Sequence, residues 1–333
     1  MELVYISWVC EVSRQPFFVA VDHLKQSLVI SIRGTMSGLD VLTDMKGDAT
    51  PIGRGVPGKA HQGMIECALN IFSILHEEKV LSQAWGKKLS QGTQNYRTIT
   101  IVGHSLGAGI ATILSLLMKS DYDQQGRSDI KIQCFAYSPP GGLLCQQAAK
   151  FSKLIVTSVV VGKDLVPRLG LSQLEGLESE IINVLRETDS HKWKIIIASS
   201  IGKKIKSKNL LQPHTTEPLN AGSRLKSIKR DQKRFDTLYP PGELYHFLPH
   251  YNDDRSYTVH AVRADNDDFQ EIIVSGRMVE HHMPHFVQSV LDKYINQPTC
   301  FRQSTLYQST QNYRLPPIIT VSIFYSLQLL MSL

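Results

Sequence analysis

Apolar positions along this chain fall into short dense runs that alternate with stretches of helical spacing. Residues 16–22 (PFFVAVD) and 27–34 (SLVISIRG) are two such runs with the polar HLKQ between them, which predicts a hairpin or an adjacent strand pair. From Gly63 to Leu81 the apolar residues recur every three to four positions, the spacing of a helix. A strand is predicted at 98–102, a helix at 107–119, and strands at 130–137 and 154–161. Further on, SYTVHAVRA (256–264) alternates like a half-exposed strand, EIIVS (271–275) predicts another, and MPHFVQSVLDKYI (283–295) a closing helix. LYHFLPH (244–250) reads as a proline-flanked loop. Strands alternating with helices predict an α/β fold with a mainly parallel central sheet between flanking helices.

The charge pattern breaks this regularity once. Between Ala198 and Arg234 there are ten Lys/Arg, including Lys203, Lys204, Lys206, Lys208, Arg224, Lys226, Lys229 and Arg230, against Glu217 and Asp231. That segment carries +8 in a chain whose net charge is +6, so the remainder is close to neutral. With two prolines, two glycines and little periodicity, it reads as a long exposed insertion at about 171–240. It is either a solvated loop or a contact for an anionic membrane or acidic partner. The near absence of aromatic residues to stack on bases argues against nucleic acid as the partner. Five cysteines without a CxxC pair point to a reduced compartment, not a disulfide framework or zinc site. The first 15 residues lack the basic start and apolar core of a signal peptide.

Within the predicted strand-to-helix junction at residue 103 lies Gly103-His104-Ser105-Leu106-Gly107. A serine between two glycines there serves either tight packing or nucleophilic chemistry. Glycines two before and two after remove side chains that a strained turn would not admit. Such a turn lifts the serine oxygen above the sheet, while the first N–H of the helix, from Leu106, points into the same space. Ser105 is therefore the candidate nucleophile. Its partners in this fold follow in the order acid, then histidine. Asp164 stands after the apolar run LIVTSVVVGK, at the end of a buried strand, although a turn aspartate could also sit there. Among the later histidines, His260 reads as structural and His246 and His250 as loop residues. The EHHMPHF cluster, with His281, His282 and His285, occupies the loop where a base is expected. No carboxylate or cysteine completes a metal-ligand spacing around it.

The blocks ISIRGTMSGLDVLTDM, HQGM, GHSLGAG and VGKDLVPRL, in that order, resemble those of the class 3 lipases of the α/β-hydrolase fold. Within them the resemblance is to the sn-1-specific diacylglycerol lipases, to the beta type more than the alpha, over most of residues 4–294. The resemblance implies Ser105 as nucleophile, Asp164 as acid and His282 as base. It further implies Thr35 as the second oxyanion contact beside Leu106. It implies hydrolysis of diacylglycerol to 2-monoacylglycerol, the endocannabinoid precursor class, at the cytoplasmic face of a membrane. No cofactor is read from the residues, and calcium enters only through the resemblance. The expected organisation is a catalytic domain over 1–297, then a polar linker and apolar tail over 298–333. Full-length family members begin with four transmembrane helices, so the expectation is a truncated form or incomplete gene model of the catalytic region. A catalytically silent, membrane-docked module is the competing class.

Overall fold

The computed structural model describes residues 1–11, 13–34, 48–89, 97–187, 235–252 and 256–297. The whole basic cluster, the tail from residue 298 and Thr35 lie outside the described residues. The chain divides into two compact units, Met1–Gly170 with Thr237–Leu333, and Leu171–Asp236. In the second, the described structure is the helix Leu171–Glu187.

The first unit is built on an eight-stranded sheet. Its strands are β1 (Glu2–Ser7), β2 (Phe17–Asp22), β3 (Ser27–Ile32), β6 (Thr98–His104), β7 (Lys131–Tyr137), β8 (Val156–Val161), β9 (Glu243–Tyr251) and β10 (Tyr257–Ala264), in that spatial order. A separate hairpin pairs β4 (Ala49–Gly53) with β5 (Val56–His61). The five central strands from β3 to β9 run parallel, and β1, β2 and β10 add antiparallel edges. β3, β6 and β8 are buried almost throughout, as strands covered on both faces must be.

Helices supply that cover. On one face α1 (Gln62–Glu77), α2 (Val80–Leu89), α3 (Leu106–Gln124) and α4 (Gln146–Ser152) are grouped, and residues of all four join the larger core. On the other, Val287, Val290 and Leu291 of α6 (Pro284–Asn296) pack on Val102, Val159, Val161, Tyr245 and Phe247. The helix of the second unit is counted α5. Residues 106–118 of α3 are all buried, and its polar members are satisfied internally, Thr112 Oγ1 on the Ala108 carbonyl and Ser115 Oγ on that of Thr112.

The expected α/β architecture with a mostly parallel sheet is present, with three local differences. The single helix expected to Leu81 breaks at Lys79, whose φ of 53° leaves the helical region and starts α2 at Val80. Residues 244–250 are not a loop: they lie in β9, paired with β8 and β10, with Leu244, Tyr245 and Phe247 buried. Residues 271–275 are not a strand, and Val274 is 72% exposed.

Candidate active site

Parallel strands end at the same side of a sheet, and the candidate residues collect there. Ser105 follows β6 directly. Its φ of 56° and ψ of −126° are conformations that side-chain-bearing residues rarely adopt, held here by its N–H on the Tyr137 carbonyl at 2.9 Å. The turn is possible because nothing projects from its flanks. A methyl on Gly103 would lie 2.2 Å from the Gly107 carbonyl oxygen, and one on Gly107 would lie 2.5 Å from that of Ile32. The Leu106 N–H opens α3 and so has no acceptor within the helix.

Asp164 sits three residues beyond β8, its N–H on the Val161 carbonyl at 3.1 Å. His282 closes a short 3-10 turn, Glu280–His282, just before α6. Its Nε2 is 2.9 Å from Ser105 Oγ, and its Nδ1 is 3.0 and 3.3 Å from the two Asp164 oxygens. The structure thus brings Ser105, His282 and Asp164 into one hydrogen-bonded line, with all three side chains buried. His285 lies on α6 and takes no part in this line.

Burial alone would raise the Asp164 carboxyl. The charge and hydrogen bond of His282, with the Val166 N–H at 3.0 Å, more than offset it and hold the carboxyl below its ordinary range. The Ser138 hydroxyl also pulls the same carboxyl down, more than the Val166 N–H does, without meeting full hydrogen-bond geometry.

Three further histidines surround this line: His104, which sequence reasoning left without a role, His246, which it read as a loop residue, and His281. His104 precedes the serine, and its Nε2–H donates to the backbone carbonyl of His282 at 2.9 Å, the two rings 4.7 Å apart. Desolvation pushes His104 down to about 3, with the His282 charge acting the same way. His246 of β9 donates from Nε2 to the Gly162 carbonyl at 2.6 Å, and desolvation pushes it down to about 4. His281 accepts the Lys163 N–H at Nδ1 at 2.8 Å, and its ring stacks on Phe286 at 4.9 Å. The only signal in the sequence is the density of histidine itself, since each of these partners is a distant backbone group.

Arg168, also buried, donates from Nη1 to the carbonyls of Asp268 and Glu271 at 2.9 and 3.3 Å. It therefore ties the Asp164 loop to the stretch that leads to His282. Among the described residues no three His, Cys, Asp or Glu side chains gather as they would around a metal ion. No helix among the described residues is long and apolar enough to cross a membrane.

A family profile described as Lipase (class 3) matches residues 29–173, from β3 to just past Asp164. Diacylglycerol lipase-alpha of Rattus norvegicus is 40% identical over 309 residues, 89% of this chain and 29% of that protein. Diacylglycerol lipase-beta of Mus musculus is 34% identical over 199 residues, 59% of this chain and 28% of that protein. The chain spans less than a third of the length of these relatives, and the identities do not single out the beta type. A Rhizomucor miehei lipase in its propeptide complex covers 52% of both chains at 18% identity and a TM-score of 0.42, an overlay too loose to add weight. With the profile running from β3 through the Asp164 loop, and 40% identity sustained over 89% of its length, this chain belongs to the class 3 lipase family.

Proposed function

We propose that this chain is the catalytic region of a serine lipase that hydrolyses the sn-1 ester of diacylglycerol, releasing a fatty acid and 2-monoacylglycerol such as 2-arachidonoylglycerol. One observation carries the chemistry: the continuous line from Ser105 Oγ through His282 to Asp164, built on a serine at φ 56°. The choice of diacylglycerol rests on the names of the relatives, while the geometry supports ester hydrolysis generally.

Asp164 accepts the Nδ1–H of His282 and leaves Nε2 free to take the Ser105 proton. The Ser105 oxygen attacks the ester carbonyl, and the developing oxyanion is met by the Leu106 N–H. The second oxyanion donor is assigned to Thr35 by resemblance alone. His282 then returns its proton to the departing glycerol oxygen, and water activated by the same ring releases the fatty acid from the acyl-enzyme. Enclosure of the three side chains strengthens each of these interactions, because little water competes for them.

Contact with the lipid surface is assigned to the basic cluster, Lys203, Lys204, Lys206, Lys208, Arg224, Lys226, Lys229 and Arg230, facing an anionic cytoplasmic leaflet. The test of the chemistry is Ser105→Ala. It is expected to abolish labelling by a fluorophosphonate and release of a labelled sn-1 chain while circular dichroism is unchanged. His282→Ala is expected to lower kcat by about 10⁴. Retained turnover in folded Ser105→Ala overturns the reading.

A further inference from the structure

The peptide bond between Gly162 and Lys163, immediately before Asp164, is held at both of its polar ends by imidazoles. Its carbonyl accepts the Nε2–H of His246 at 2.6 Å, and its N–H donates to Nδ1 of His281 at 2.8 Å. In a trans peptide these two groups point in opposite directions, so the rings grip the unit from opposite sides. The approach of His281 depends on Gly162, which has φ +52°. A Cβ there would stand 2.3 Å from His281 Nδ1. A second bond between the same loops runs from the Leu165 N–H to the Met278 carbonyl at 3.3 Å.

The partners fix the tautomers. A carbonyl only accepts, so His246 carries its proton on Nε2. A backbone N–H only donates, so His281 Nδ1 is bare and its proton sits on Nε2, 3.5 Å from the Tyr251 hydroxyl. Ionisation therefore affects the two rings unequally. Protonated His246 could still donate, whereas protonated His281 would aim a second donor at the Lys163 N–H. The charged groups facing His281 are Glu280, Arg277, Asp164 and Lys163. Those facing His246 are Arg168, Asp164 and Asp268. Desolvation lowers both rings, which favours the neutral forms this geometry needs.

We propose that His246 and His281 are positioning residues that clamp the Gly162–Lys163 peptide and so fix Asp164 for its bond to His282. The proposal rests on Asp164 being the acid of the triad. On this proposal His281, next to the base His282, also has a share in the rate. A displacement of about 1 Å at a reacting group can cost about 10²-fold in rate, so the clamp has a measurable share of kcat.

The test uses the whole chain with a soluble activated ester. His281→Phe keeps the flat ring against Phe286 and removes the acceptor. Its kcat is expected to fall by about tenfold to a hundredfold, with KM changed by less than about twofold. His281→Asn returns an acceptor near the Nδ1 position without a titrating group. It is expected to recover most of the rate and to show an acid limb of log kcat against pH shallower than that of wild type. His246→Gln, with a donor near Nε2, is expected to retain more rate than His246→Phe. In an Asp164→Asn background, His281→Phe should cost nothing further, because the residue it positions is already disabled. Wild-type kcat in His281→Phe, or the same loss with and without Asp164, overturns the clamp while leaving the triad intact. Full activity in Asp164→Asn would instead overturn the triad. If His281→Phe does not fold, an acid limb in His281→Asn identical to wild type overturns the proposal.

Discussion

Two imidazoles held neutral beneath the site make acid its weak point, and the size of the effect can be worked out. His104 is pushed down to about 3 and His246 to about 4, whereas an unfolded histidine titrates near 6.5. Between pH 7 and 5 the unfolded chain takes up protons that the folded chain refuses, so stability falls with pH. At pH 5 the unfolded form binds nearly one proton more at each site, a slope of ~2.5 kcal/mol per pH unit. Integrated from pH 7, the two rings together remove ~4 kcal/mol, a large part of the ~5–15 kcal/mol that holds a domain folded. His281, lowered in the same direction, adds to this loss. Asp164 does not contribute in this window. Its carboxyl is held below the ordinary range, so its contribution is lost only as pH falls through that lower value. Denaturant titrations at half-unit steps from pH 7.5 to 4.5 measure the curve. His104→Gln and His246→Gln each place an amide donor near Nε2 without a proton to gain, and each should remove about half of the slope. Stability that stays flat to pH 5, or Gln variants as steep as wild type, would refute the reasoning.

The remaining expectations concern the serine and the lipid surface. Ser105→Gly and Ser105→Ala both lose the nucleophile, but only glycine relieves φ 56° and ψ −126°, worth ~1–3 kcal/mol against ~1 kcal/mol of added chain entropy. Thermal melts should therefore rank Ser105→Gly at or above Ser105→Ala, and the reverse order would mean that the turn is unstrained. Sedimentation with phosphatidylserine liposomes should weaken as salt rises from 0.1 to 1 M, because the Debye length falls from ~10 to ~3 Å. Binding that ignores salt and disappears on deletion of residues 316–333 would assign the anchor to the tail.

Much of this arrangement was legible in the sequence because the central strands are apolar enough to declare themselves. The runs that became β2, β3, β6, β7 and β8 needed no tertiary information, and Gly103 and Gly107 marked the sharp turn at Ser105. β9 was hidden because Pro249 and two histidines, His246 and His250, lie among its apolar residues. Pairing with β10 on its far side leaves His250 exposed and Leu248 partly so, and an edge partner tolerates that mixture. The opposite error at 271–275 has the complementary cause. Ile272 and Ile273 have strand propensity, but no sheet edge is offered to them, so propensity alone did not make a strand. The roles of His104, His246 and His281 were beyond pattern reading, because each holds a backbone group between 84 and 178 residues away.

The order of the strands also explains why one imidazole can join the serine to the acid. Ser105 leaves β6 and Asp164 leaves β8, and β7 lies between them. Two strand spacings amount to ~10 Å, too far for direct contact. The bonds of 2.9 and 3.0 Å with one ring between them can cross that gap only if the end of β7 keeps out of the way. β7 ends at Tyr137, and the next residue is Ser138, fully buried with φ 49° and followed by two prolines. A small side chain at that point turns the chain away early and still presents a hydroxyl to the Asp164 carboxylate. His282 must then come from elsewhere. It arrives on the turn before α6, whose packing on Val102, Val159 and Val161 fixes its height over the same strands. Sheet order thus sets the distance, and the small residue ending β7 keeps it open. The turn before α6 supplies the one group long enough to bridge it.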